Sequence, residues 1–413
     1  MNVRWLLPLI VVSLLPAQRK SAPERPGASR LITEFPVPDV PPIDVADATK
    51  TAIAGILTLT EEGNQWPYEG VYREDGGNLP VGYRVGGTSI TIMGLVSAPG
   101  YREDEKRVEA VNLALKFVLE ALEHKRMSAS FIGGYDVRGW GHVYALQCLL
   151  HLQDFQLVPA DLSKTVTEKV DWLVKTLVES AIPKGGGWNY SRRAGYMSPK
   201  NSASLFMTAP ALQALFHAKA RGHSVPDDVV EEALNAIDRA RTKAGGYAYS
   251  SANLNINDKG EDDLRFMDLA PGSAARAAIC ETTMMLAGRG DEERHRKALE
   301  LFFTSWDYLA KRKSQRGTHI KPYGIAPYYF MFGHLYCAQA IEQIKDKKAR
   351  AGFRTQMRQI LARSIDKKGT WNDRQFGRSA GYGTAMALMT MHMNRLPKPS
   401  TWRAGNVGLK GKK

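Results

Sequence analysis

At 413 residues, with 44% hydrophobic and 24% charged residues, the chain has the composition of a globular protein and enough apolar material for a large core. Its formal charge of +14 favours acidic partners such as anionic glycans, lipid headgroups or phosphates, and no nucleic-acid-binding motif accompanies it, so a nucleic-acid partner is not expected. Three cysteines, Cys148, Cys280 and Cys337, all fall inside apolar helical patterns, which argues for buried free thiols and against a disulfide framework.

Residues 1–17 carry Arg4, an apolar run from Trp5 to Leu15 and a small residue, Ala17, before Gln18. This is the pattern of a secretory signal peptide, with Leu15 an imperfect residue three positions before the cleavage point. The run is too short for a comfortable membrane span, so the expectation is an exported protein, periplasmic or extracellular, with no transmembrane segment in its mature form. From Gln18 to Pro42 six prolines and mixed charge predict an extended linker over residues 18–43.

Asp44 then caps a predicted helix over 45–60 that places Ile53, Ile56 and Leu57 on one face. A glycine-rich passage from Gly63 through Trp66-Pro67-Tyr68 to Gly87 leads into a second helix, Thr88 to Val96. That order, an amphipathic helix, a glycine-aromatic turn, a polar loop and a helix rich in small residues, recurs. The second copy has an outer helix over about 104–124, then Gly133-Gly134-Tyr135 and Trp140-Gly141-His142-Val143-Tyr144. The third is the clearest, with a single apolar stripe (Val166, Val170, Leu173, Val174, Leu177), Gly186-Gly187-Trp188-Asn189-Tyr190, and a helix through Thr208 and Leu212. Pro226 opens the fourth, which continues to Gly245-Gly246-Tyr247-Ala248-Tyr249 and Gly272 to Cys280. The fifth has a degraded turn and the helix around Gly333-His334-Leu335-Tyr336, and the sixth runs from Lys347 to Gly369-Thr370-Trp371-Asn372-Asp373 and Gly381 to Leu388. A basic tail, 398–413, is expected to be disordered.

Six such units, each with one face to bury, make an array. Small residues let the second helices of each pair approach closely around an axis, while Lys, Arg and Glu on the first helices suit a solvent-facing ring. The predicted fold is all-α: an (α/α)6 toroid over residues 44–397, with six inner and six outer helices and the glycine-aromatic turns at one rim.

The turns Gly187-Trp188, Gly246-Tyr247 and Gly369-Thr370-Trp371, each followed by a small-residue helix, resemble the repeats of the squalene cyclase and protein prenyltransferase β-subunit superfamily, the terpenoid cyclase-like toroids. Tyr328 to Ala340 and Tyr382 to Leu388 resemble an exported bacterial branch of unassigned activity. The resemblance implies the toroid and does not carry over a chemistry. The Asp-x-Asp-Asp acid motif of class II terpene cyclases is missing, and no cysteine has an Asp two residues before it, as the prenyltransferase zinc site requires. Glu261-Asp262-Asp263, with Asp268 beyond, reads as a solvated loop, so no metal and no cofactor are expected.

The residues left for chemistry follow from types that donate, accept or stack. Catalytic candidates are His142 and Tyr144, His334 and Tyr336, which share Gly-His-x-Tyr, together with Tyr190, Asp136 and Asp373. Arg138, Arg192, Arg193, Lys200, Lys321, Arg374 and Arg378 precede inner helices, whose N-termini add partial positive charge. With Trp140, Asn189, Asn201, Tyr328 and Tyr382 they form the expected ligand-binding set. Two kinds of function follow: binding of an anionic or amphipathic ligand, such as a lipid, isoprenoid or glycan, at a basic mouth of the axis, or a lyase-type enzyme using Tyr or His with Arg. A terpene cyclase using Asp136 or Asp373 is a third. Trp188 and Trp371 are read as packing wedges.

Overall fold

The computed structural model describes residues 40–128, 130–131, 137–190, 202–250, 255–256, 262–265, 267–313, 319, 321–373 and 376–405. Residues 1–39, which include the expected leader and most of the expected linker, and 406–413 lie outside them. Among the described residues twelve α-helices alternate between two roles. The outer six are α1 (Val45–Thr58), α3 (Glu105–Ala121), α5 (Ser163–Glu179), α7 (Asp227–Arg239), α9 (Glu292–Lys313) and α11 (Lys347–Ser364). The inner six are α2 (Val81–Ser97), α4 (Arg138–Asp154), α6 (Leu205–Ala220), α8 (Ala270–Leu286), α10 (Tyr329–Gln343) and α12 (Ala380–Met391).

Each inner helix packs on the next, and α12 packs on α2, which closes the ring. Every outer helix lies on the inner helix before it, α1 on α12 and so on to α11 on α10. The structure is therefore an (α/α)6 toroid. Composition explains the two roles: α7 buries Val230, Ala233, Leu234, Ala236 and Ile237 as one stripe, whereas nearly every residue of α2 is buried. At the closing seam a Cβ on Gly94 would lie 2.7 Å from Ala385 Cα, so only glycine permits α2 and α12 to meet this closely.

Two local boundaries differ from the sequence reading. The glycine-rich passage before Thr88 is helical from Val81, because Gly82 and Gly87 face the backbones of Val137 and of Trp66 to Tyr68, where a Cβ would sit 2.4 Å from the nearest atom. The expected disordered tail is packed as far as Gly405, and Trp402 is buried to 8% exposure. Asp44 caps α1 as expected, accepting from the N–H groups of Ala46 and Asp47. Asn255–Ile256 and Asp262–Asp263 pair as a short antiparallel ribbon, while Glu261 lies outside the described residues.

The glycine-aromatic turn is a repeated hydrogen-bonding device. Trp66, Trp188 and Trp371 each donate the indole N–H to a carbonyl at the end of the preceding outer helix, Ile56, Leu177 and Leu361, at 2.8–3.1 Å. Each also donates its backbone N–H to a threonine of the following inner helix, Thr88, Thr208 and Thr384, at 3.0 Å. One residue thus fastens three segments. Replacing Trp188 with alanine should cost about 3–5 kcal/mol, the range for deleting a buried large aromatic, and replacing it with phenylalanine a smaller amount set by the lost indole bond. A chemical-denaturation midpoint that barely moves for Trp188→Ala would show that the wedges are dispensable.

Candidate functional site

The inner-helix position that holds Thr88, Thr208 and Thr384 in three repeats is occupied in the others by His142, Arg276 and His334, and each of these also binds the surrounding turn or outer helix. Arg276 donates to the carbonyls of Tyr247, Gly272 and Met267 at 2.6–3.0 Å. His142 bonds the Met127 carbonyl at 2.7 Å and packs edge-on against Trp172 of α5. His334 donates from Nδ1 to the Phe330 carbonyl and accepts at Nε2 from the Trp306 indole of α9, at 2.7 and 2.8 Å. Both histidines are fully buried, and burial lowers each to a pKa of about 4. The two catalytic candidates therefore point outward, away from the axis, and peg the two rings together.

The tyrosines of the same motif do meet. Tyr336 of α10 and Tyr144 of α4, on opposite sides of the ring, approach to 3.4 Å between hydroxyls. Tyr144 continues into Trp140 (5.1 Å between ring centres), Tyr68, Tyr83 and Tyr382, and Tyr336 into Phe332, Phe206 and Tyr329. An aromatic column therefore fills the axis at this level.

The basic mouth is also revised. Arg138 is buried, donating to the Ser128 carbonyl at 2.7 Å with its guanidinium over Phe131. Arg378 pairs with Glu61 at 2.6 Å. Lys321 is exposed at the surface. Arg192, Arg193, Lys200, Asn201, Arg374 and Asp136 lie outside the described residues. Asn189 serves its own turn, its amide donating to the Ser202 carbonyl and its oxygen accepting the Tyr190 N–H.

What the structure assembles at the glycine-aromatic rim comes from the residue two positions after each wedge: Tyr68, Tyr190, Tyr249 and Asp373, following Trp66, Trp188, Tyr247 and Trp371. They meet in pairs. Tyr68 donates to the buried Asp373 carboxylate at 3.1 Å, beside Tyr382. Tyr190 and Tyr249 lie 3.1 Å apart, and the Tyr328 hydroxyl completes a triangle at 3.2 and 3.0 Å. Ser204 donates to Tyr190 at 3.1 Å. The His319 ring stands edge-on to Tyr249 at 5.1 Å, with Nδ1 at 2.6 Å from the Gly324 carbonyl.

All three tyrosines and His319 are half-buried. Burial holds the Tyr190 and Tyr328 phenols well above the ordinary tyrosine range, with the neighbouring phenols adding to it. They stay protonated at neutral pH. Tyr249, Ser204 and His319 were not singled out from the sequence, although the equal spacing of Trp188 to Tyr190 and Tyr247 to Tyr249 carries the signal for the first.

Among the described residues no group of three or more His, Cys, Asp or Glu side chains is placed to hold a metal, and no helix is long and apolar enough to cross a membrane. No protein-family model matches the chain, and no curated protein matches it by sequence. Solved structures similar to it include the type II terpene cyclase MstE from Scytonema, at 12% identity and TM-score 0.47 over 85% of this chain and 98% of that one. A polysaccharide lyase matches at 10% identity and TM-score 0.46 over 85% and 97%. A possible member of the GH105 family from Klebsiella pneumoniae matches at 14% identity and TM-score 0.46 over 95% and 99%. The toroid itself rests on the contact of α12 with α2.

Proposed function

We propose that the protein is an exported toroid that binds a hydroxyl-rich ligand, a glycan, at the rim site formed by Tyr190, Tyr249 and Tyr328. The observation that carries this reading is the hydroxyl triangle, built from three different repeats. Three phenols hold three donor protons and twice as many acceptor positions. Donation around the triangle uses every proton, and Ser204 takes one further acceptor. The oxygens left over can only accept, so the complementary ligand donates. Sugar hydroxyls do so, and the buried rings of Phe206 and Tyr329, stacked at 4.2 Å, hold Tyr249 and Tyr328 in place from behind. A carboxylate or diphosphate has no proton to give, which favours a neutral glycan over the anionic ligands suggested by net charge. The leader-like residues 1–17 support export.

Titration of neutral and acidic oligosaccharides by calorimetry tests this. Neutral members should bind, and Tyr249→Phe or Tyr328→Phe, which remove the acceptor positions left over, should each weaken them about tenfold, the worth of one hydrogen bond within an exchange with water. Failure of every panel member to bind the unaltered protein would overturn the proposal. A second reading, acid–base cleavage of a glycan in the manner of a lyase, is favoured by one observation, the His319 ring beside the triangle. It requires release of unsaturated products, seen by absorbance and lost in His319→Ala.

A further inference from the structure

The opposite mouth of the toroid, at the C-terminal ends of the inner helices, is covered by the chain's own end. After α12 a short turn, Met393–Arg395, leads into Leu396–Gly405. Leu396, Pro397, Lys398 and Pro399 roof a cavity of about 60 Å³, whose walls come from α2, α4, α6, α10 and α12. The segment then reaches the far side of the ring. Trp402 donates its backbone N–H to the last carbonyl of α8, Leu286, at 2.9 Å, lays its ring 5.3 Å from Phe216 of α6, and takes Lys219 Nζ at 4.1 Å over its face. Gly405 donates to Asp227 at the start of α7, at 2.7 Å. Because α12 lies opposite α6 in the ring, the segment spans the whole opening.

Beneath it the axis is polar, unlike the aromatic column above. Gln147, Gln213 and Gln339 come from three different helices, and His151 and His217 stand 5.8 Å apart. Gln147 and Gln213 are engaged, with the Pro210 carbonyl and with Thr283, and His217 bonds Asp154 at 2.8 Å. Gln339 Oε1 and His151 Nδ1 are buried without a hydrogen-bond partner. Buried polar atoms are ordinarily satisfied, so the two groups left over mark where a bound molecule would be held. The cavity has room for about two waters.

We propose that this mouth is a second ligand pocket, for a small uncharged molecule carrying hydroxyl or amide donors, and that Leu396–Gly405 is a strap across it that lifts to admit the ligand. Trp402 is the latch. Its ring, one backbone bond and one cation–π contact fasten the far end, while Pro397 and Pro399 have no N–H with which to anchor the span.

The test places a reporter thiol in the cavity by Met389→Cys, at a lining residue that is buried under the strap, and measures its labelling by a small maleimide in the full chain. Adding Trp402→Ala should speed labelling about tenfold, the change expected from losing one buried ring and cation–π contact, and Trp402→Phe should restore most of the slow rate. Cys148, Cys280 and Cys337 are fully buried, and their continued silence shows that the toroid stays folded. With the strap lifted, glycerol and acetamide as probes should slow labelling saturably, and Gln339→Leu should remove that protection. Equal labelling with and without Trp402 would overturn the strap. Faster labelling that neither probe slows would overturn the pocket. Neither result bears on oligosaccharide binding at the tyrosine rim.

Discussion

Acidification from pH 6.5 to pH 4 should unfold the protein well before its carboxylates are titrated. His142, His334, His295 and His392 are each lowered to about 4 by burial, and His151 to about 3. An unfolded histidine takes up its proton near pH 6.5. Between those values the unfolded chain binds protons that the folded chain refuses, so stability is complete above pH 6.5 and falls as pH drops toward 4. His142 and His334 alone, at about 1.4 kcal/mol for each pH unit of difference, account for about 6 kcal/mol by pH 4, comparable with the whole stability of an ordinary domain.

The geometry at His334 shows why the refusal is firm. Nδ1 must carry the proton to reach the Phe330 carbonyl, and Nε2 must be bare to accept from Trp306. A second proton would set N–H against N–H. At His142 the Nδ1 atom has no hydrogen-bond partner, so protonation there buries an unsatisfied charge. Urea midpoints measured across this range should fall steeply, and His142→Gln should flatten the slope by about one proton's share, roughly 1.4 kcal/mol per pH unit. A stability that is level from pH 7 to pH 5 would refute the account.

The same two histidines show where sequence stops being informative. Gly-His-x-Tyr in two inner helices is a visible pattern, and its tyrosines do reach the axis. An inner helix buried on every side has no polar face to report which way a given residue points. His142 and Tyr144 are two residues apart and therefore on nearly opposite sides of their helix, so a motif read as one site divides between the peg and the core. The ring was legible for the opposite reason: closure depends on small residues such as Gly94 and Ala385, which leave a compositional trace. The wedge register was legible too, and with it the position of Tyr190. Filling of the axis was not, because it depends on how far large rings from opposite helices extend. Charge misled most, since Arg138 and Arg378 spend theirs on a carbonyl and on Glu61.

Arg276→Met should destabilise the fold by about 3–5 kcal/mol, the cost of breaking a buried ionic contact by removing one partner. The Arg276 side chain is inaccessible, and its guanidinium satisfies the carbonyls of Tyr247, Gly272 and Met267 while lying 3.8 Å from the equally buried Asp268. Without it, three carbonyls lose a charged donor and Asp268 keeps, as its ion-pair partner among the described residues, Arg265. The damage should reach the tyrosine rim, because Asp268 accepts the backbone N–H of Tyr249 at 2.6 Å and so sets one corner of the hydroxyl triangle. Lysine should not rescue: a single ammonium cannot span carbonyls on three sides of a planar fork. Pairing Arg276→Met with Asp268→Asn separates the contributions. If the carboxylate left behind is the main cost, the double variant should be more stable than the sum of the two single losses implies. Strict additivity would assign the effect to the carbonyls alone, and a loss below about 1 kcal/mol for Arg276→Met would show that the fourth repeat does not depend on its arginine.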